Sequence, residues 1–102
     1  MYDIDFEWDE NKNESNMKKH KISFKEAESV FYDEHAKYED DPDHSEEEER
    51  FIILGLSKKN NLLVVCHCYR AFETVVRIFS ARKATPNERR QYENYRRWFY
   101  ER

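Results

Sequence analysis

Alternation opens the chain. Tyr2, Ile4, Phe6 and Trp8 are apolar, and the acidic Asp3, Asp5 and Glu7 lie between them, the period-two pattern of a half-buried strand. Asp9 can then cap a helix running to about His20, with Asn13, Met17 and His20 on one stripe. Ser23 and Glu26 stand at capping-box spacing and open a short helix whose Phe24, Ala27, Val30 and Phe31 face inward. From Asp33 to Tyr38 the chain turns extended. Asp40-Asp41-Pro42-Asp43-His44-Ser45 is a loop by composition, and Glu46 to Glu49 read as a solvated helical turn or an approach to the next strand.

Phe51 to Leu56 is a continuous apolar strand, Lys58 to Asn61 a turn, and Leu62 to Tyr69 the antiparallel partner. A short reversal near Ala71 and Phe72 leads into a strand from Thr74 to Ala81. A helix follows at once: Thr85 can cap, Pro86 suits the first helical position, Glu88 completes a capping box, and Tyr92, Tyr95 and Phe99 recur at helical spacing. The predicted order is β-α-α-β-β-β-β-α. This is an α+β fold: a mostly antiparallel sheet of four or five strands packed against two N-terminal helices and a C-terminal helix. Helices on one face would leave the other face partly open.

Composition narrows the picture. With 102 residues the expected organisation is a single domain, 1–102, and its 16% aromatic content supplies core area that the few aliphatic residues do not. No apolar run approaches a membrane span and the acidic start is no signal peptide, so the expected setting is cytoplasmic. Cys66 and Cys68 point the same way on one strand, a poor disulfide geometry. The net charge of -4 conceals two halves of opposite sign. Residues 1–50 hold 18 acidic against 7 basic side chains, and residues 51–102 hold 4 against 11. Either the second half presents a basic surface to nucleic acid, or the halves neutralise each other across the fold.

Arg77, Ser80 and Arg82 ride the strand that runs into the last helix, which itself carries Arg89, Arg90, Arg96 and Arg97. Guanidinium forks suit phosphate, so this is the expected locus of a phosphate-bearing partner. No paired Cys or His spacing marks a zinc site, and no cofactor or metal is expected.

Phe6-Glu7-Trp8-Asp9, Lys12, Asn16, Lys19-His20, Ser23-Phe24-x-Glu26-Ala27 and Val30-Phe31 come in order. Asp43-His44-Ser45, Glu48-Glu49-Arg50, Gly55-x-Ser57, Ser80-Ala81-Arg82-Lys83-Ala84, Glu88-Arg89 and Tyr92-Glu93 complete the series. This ordered set resembles the BrnT family of toxins from bacterial type II toxin–antitoxin modules. The resemblance implies a RelE-like fold and a metal-independent ribonuclease that cleaves RNA and halts translation. It further implies neutralisation by a BrnA-type antitoxin in a hetero-oligomer, with DNA contacted only through that antitoxin.

Such cleavage needs a base for the 2′-hydroxyl, an acid for the leaving oxygen and cations for the developing charge. Arg77 and Arg82 are the candidate phosphate clamps, and Ser80, on one face with Arg82, can donate to a phosphate oxygen. Glu49 is the candidate base, with Glu48 beside it. His44 and His67 are the candidate acids, although His67 sits in an apolar strand and suits a core position. Arg50, Arg70, Lys83, Arg89 and Arg90 are candidate RNA contacts, and Trp98 or Tyr100 can stack a base. Two rival readings use the same residues: a non-catalytic nucleic-acid-binding regulator, and a protein-interaction module.

Overall fold

The computed structural model describes residues 4–42 and 48–101. The order is strand β1 (Asp5–Glu7), helix α1 (Glu10–His20), helix α2 (Phe24–Glu28), a 3-10 turn (Ser29–Tyr32), strands β2 (Lys37–Asp40), β3 (Phe51–Leu56), β4 (Leu62–Arg70) and β5 (Val75–Lys83), and helix α3 (Pro86–Glu101). The expected sequence of elements holds, with the first strand shorter than its alternation suggests. Tyr2 and Asp3 lie outside the described residues.

Caps set the helices. Asp9 accepts from the Asn11 N–H at 2.8 Å, and Lys21, at φ 63°, closes α1 by donating its N–H to the Met17 carbonyl. Left-handed closure of this kind satisfies carbonyls that the helix end would otherwise leave unbonded. The Ser23 hydroxyl accepts from the Glu26 N–H at 3.0 Å, but the Glu26 carboxylate does not return to Ser23. It is buried instead, accepting from Ser57 Oγ at 2.6 Å and Asn61 Nδ2 at 2.7 Å, and so ties α2 to the β3–β4 turn.

The sheet runs β1-β5-β4-β3-β2, antiparallel except for β1, which lies parallel to β5 at its edge. Ile53, Leu63, Val65, Val76, Ile78 and Ala81 face α1 and α2 and pack with Ile22, Phe24, Ala27 and Val30. The opposite face carries Leu54, Leu62 and Val64, covered by Tyr92 of α3. Helices therefore cover both faces, which corrects the one-sided layering expected from sequence. The reason is the period of two: β3 and β4 are apolar at successive positions, so both of their faces need cover.

Two sequence readings of the helices change as well. Met17 is largely exposed and Asn16 takes the inward position on α1. On α3, Tyr92 alone of the described residues is buried, while Phe99 stays substantially exposed. Tyr92 donates its hydroxyl to Asp33 at 2.7 Å, and the same carboxylate oxygen accepts the Leu56 N–H at 2.8 Å. Gly55 permits this approach, since a Cβ there would sit 3.0 Å from Asp33 Oδ2 and from Val30 Cγ1.

Candidate nucleic-acid interface

Strict alternation along β5 would put Arg77 on one face and Ser80 and Arg82 on the other. The pairing with β4 prevents this. Cys68 lies opposite Arg77, His67 opposite Ile78, Cys66 opposite Ser80, and Val64 opposite Arg82, so Phe79 is an extra residue on β5. Positions 64, 66 and 68 share a face, and Arg77, Ser80 and Arg82 therefore share it too. A β-bulge re-aims side chains in this way by inserting one residue into one strand of a pair. The arginines thus lie on the face whose far end is covered by α3.

Asn16 fixes the helix beside this strand. Its side-chain amide donates to the Ala81 carbonyl at 2.8 Å, and its oxygen accepts the Ala81 N–H at 3.1 Å. That closes part of the β5 edge which β1 leaves unpaired. One turn earlier on the same helix, Lys12 reaches the Phe79 ring, with Nζ 5.3 Å from the centroid. The Arg50 guanidinium packs 4.0 Å from the same centroid. Phe79 is half-buried and supports two cations.

Carboxylates meet the other arginines. Arg77 donates to Glu7 of β1. Arg70 pairs with Glu48 at 3.2 Å, and Arg50 lies 3.7 Å from the second oxygen of that carboxylate. Arg82 donates from both terminal nitrogens to Glu88, at 2.8 and 2.9 Å. Glu88 also completes the expected capping box, accepting the Thr85 N–H at 2.9 Å while Thr85 Oγ1 accepts the Glu88 N–H at 3.2 Å. The Arg82 fork, helped by the Thr85 N–H, holds the Glu88 carboxyl down at about 2. Ion pairs from Glu7 and Glu48 to Arg77 and Arg70 join the acidic half of the chain to the basic half. Much of the basic face read from sequence is neutralised within the fold.

The face is a strip and not a point. From Val64, opposite Arg82, to Arg70 is six residues of β4, roughly 20 Å at strand rise. Glu49 lies exposed at the Arg70 end, lining an open groove with Glu48, Phe51, Cys68 and Glu73. Arg82 and Ser80 stand toward the other end, so the strip separates Glu49 from Arg82. Glu48 is held below the usual carboxylate range by the Cys68 thiol and by Arg70 and Arg50. The thiols themselves are pushed up by burial and by neighbouring carboxylates, Cys66 to about 12 and Cys68 to about 11. Both are free and neither is a nucleophile at neutral pH.

Other sequence candidates fall away from the strip. His67 has no exposed surface, contacts the Val65 carbonyl and Tyr69 hydroxyl at 3.2 and 3.3 Å, and packs against Phe31. Burial drives its pKa down to about 4. An enclosed, neutral imidazole does not reach a substrate, so its place as a candidate acid is corrected to that of a core residue. Lys83 lies opposite Leu63 and so belongs to the α1–α2 side, away from Arg82. Arg89 and Arg90 are exposed on the first turns of α3, and Trp98 and Tyr100 lie exposed near its end. His44 lies outside the described residues. Lys12 was missed as a site residue. Its signal is the four-residue spacing to Asn16, which places both on one helix face.

The family model for the ribonuclease toxin BrnT of type II toxin–antitoxin systems matches residues 8–88. Among solved structures, the 1.1 Å crystal structure of the Brucella abortus ribonuclease toxin BrnT aligns with a TM-score of 0.58. It has 22% identity and covers 83% of this chain and 99% of that one. At that identity the likeness is one of fold, and it bears out the α+β expectation. Comparison with curated proteins gives no match. The family match spans Trp8 to Glu88, from the entry to α1 through the capping box of α3, and includes Lys12, Arg50, Arg77, Ser80 and Arg82. The chain belongs to the BrnT family, ribonuclease toxins of type II toxin–antitoxin systems, with RNA as substrate and an antitoxin as partner.

Proposed function

We propose that residues 1–102 form a single RelE-like toxin domain that cleaves RNA internally, without a metal ion, and so inhibits translation. Arg77 stabilises the charge that develops on the scissile phosphate, Ser80 donates to one of its oxygens, and Glu49, at the Arg70 end of the strip, accepts the 2′-hydroxyl proton. Arg82, at the other end, holds a phosphate further along the strand. His44 is the remaining candidate acid. Arg50, Arg70, Arg89 and Arg90 hold the flanking backbone. A BrnA-type antitoxin occludes the Arg77–Arg82 face in a cytoplasmic hetero-oligomer, and DNA is contacted only through that antitoxin. The observation that supports this reading best is the bulge at Phe79, which brings Arg77, Ser80 and Arg82 to one face.

The test is single-turnover cleavage of RNA by the parent, Arg77→Ala and Glu49→Gln, with and without excess chelator. A preorganised donor to the transition state is worth on the order of 10²–10³ in rate. Arg77→Ala should lose that much while RNA affinity changes little, and Glu49→Gln should lose activity with binding unchanged. Chelator should leave the parental rate intact. Parental rates in both variants would remove these two residues from the chemistry, and loss of activity with EDTA, restored by a divalent ion, would remove the metal-free mechanism.

A further inference from the structure

The cations of this face differ in what already holds them. Arg82 is locked in a two-point pair with Glu88, Arg77 donates to Glu7, and Arg70 donates to Glu48. A phosphate arriving at any of these must share the guanidinium with a carboxylate or displace it. Lys12 has no ion pair among the described residues, and Arg50 has a looser one, with Glu48 at 3.7 Å. Arg50 Nε is moreover buried without a hydrogen-bond partner among the described residues. Buried donors without acceptors are rare because the lost hydration is not replaced. Two like charges against one ring also repel each other, and an anion that touches both relieves that repulsion.

We propose that Lys12 and Arg50, gathered on the Phe79 ring, form the phosphate-contacting centre of this site, with the substrate phosphodiester seated there beside Ser80. The proposal rests on the ribonuclease reading of the face and moves its centre from Arg77 to the Phe79 ring. Each element of the fold contributes one part. The bulge delivers Phe79 and the adjacent, exposed Ser80. The negative face of an aromatic ring holds a cation without neutralising its charge, so both cations remain available to phosphate oxygens. Asn16 anchors α1 to Ala81 and keeps Lys12 over the strand. The Arg82–Glu88 pair then fixes the start of α3 and borders the site.

The test uses the full chain, an RNA oligonucleotide, and the same sequence as all-deoxy DNA, which offers phosphates but no 2′-hydroxyl to attack. Lys12 is an exposed helix residue, so Lys12→Gln keeps the fold, and its melting temperature confirms this. Single-turnover cleavage should fall on the order of 10²–10³-fold, the cost of one preorganised donor. The log–log salt slope for binding the deoxy strand should drop by about 0.7, the value for one lost phosphate contact on a single strand. Arg50→Lys, which keeps the charge but loses the planar fork, should fall between parent and Lys12→Gln. Parental rate and slope in Lys12→Gln, with Arg77→Ala inactive, would overturn the inference and leave the ribonuclease reading standing with Arg77 at its centre. Failure of the folded parent to cleave any RNA would overturn both.

Discussion

On the α1–α2 side of the sheet, Phe24, Ala27, Val30, Ile53, Leu63, Val65, Val76 and Ile78 meet with no exposed surface. On the other side an apolar patch under Tyr92 gives way, across the sheet, to Arg50, Arg77, Ser80 and Arg82. Both sides are read from one alternating pattern, yet they are held by different forces. The first is enclosed, and its buried polar groups among the described residues are engaged: Asn16 with Ala81, Glu26 with Ser57 and Asn61, His67 with Val65 and Tyr69. The second is open and rests on ion pairs at its surface, which contribute little stability in water. One face can therefore set stability while the other carries chemistry, and substitutions on the two should separate cleanly.

The largest expected effect sharpens that separation. Phe24→Ala removes a fully enclosed ring that meets Trp8 edge-on at 6.0 Å. Truncating a buried Phe costs about 3–5 kcal/mol, because transfer energy is lost and a cavity remains. Denaturant melts should show this loss, with the cleavage rate per folded molecule unchanged. A comparable stability loss in Arg77→Ala, whose partner Glu7 is itself partly exposed, would break the division between the two faces.

His67 gives the second prediction. Its pKa is near 4 in the fold against 6.5 in the open chain, so the unfolded state binds the extra proton between those values. Stability therefore rises with pH from about 4 to 6.5 and levels off above. The full span corresponds to about 3 kcal/mol. Glu88 works lower: its depressed carboxyl contributes stability above about 4.5 that is lost as pH falls toward 2. The two windows separate on a pH series of melts. His67→Leu should flatten the upper one and leave the lower. Cleavage at neutral pH should persist in the folded fraction of that variant. Abolished cleavage with an unchanged acid slope would restore His67 as a catalytic group.

Local signals in the sequence carried far. The caps at Asp9, Ser23 and Thr85, the apolar run of β3 and the turn at Lys58–Asn61 are chemistry between near neighbours, and the structure has them where the residues place them. What was not legible depends on pairing. The bulge at Phe79 follows from how β4 meets β5, and nothing in the Arg77-to-Lys83 stretch announces it. Lys12 joins the site only because Asn16 seats α1 on a strand 65 residues away. The carboxylates facing each arginine were invisible for the same reason: Glu7 and Arg77 are partners across the whole fold. Charge counts gave the sign of each half and left open whether the halves cancel, which the Glu7–Arg77 and Glu48–Arg70 pairs show in part.

The smallest effect tests whether α3 belongs to the stable face or the working one. Tyr92→Phe keeps the ring over Leu54, Leu62 and Val64 and removes only the hydroxyl bonded to Asp33. Asp33 retains the Leu56 and His35 N–H donors, so no carboxylate is stranded. One hydrogen bond to a charged acceptor is worth about 1–2 kcal/mol here, between the neutral and the fully charged cases. Burial and the Asp33 bond push the Tyr92 phenol well above its ordinary range, so it stays a donor and the loss should not vary between pH 6 and 9. Hydrogen exchange then locates the damage. Amides of α3 should exchange faster, since Tyr92 is its single buried residue among those described, while α1 and α2 keep parental protection. Glu88 travels with α3, so a loosened helix also frees Arg82. With Lys12 and Arg50 at the centre, the cleavage rate should then change by less than tenfold. A larger drop would place the Arg82–Glu88 pair inside the chemistry, and equal loss of protection in α1 and α2 would mean that the two faces unfold as one unit.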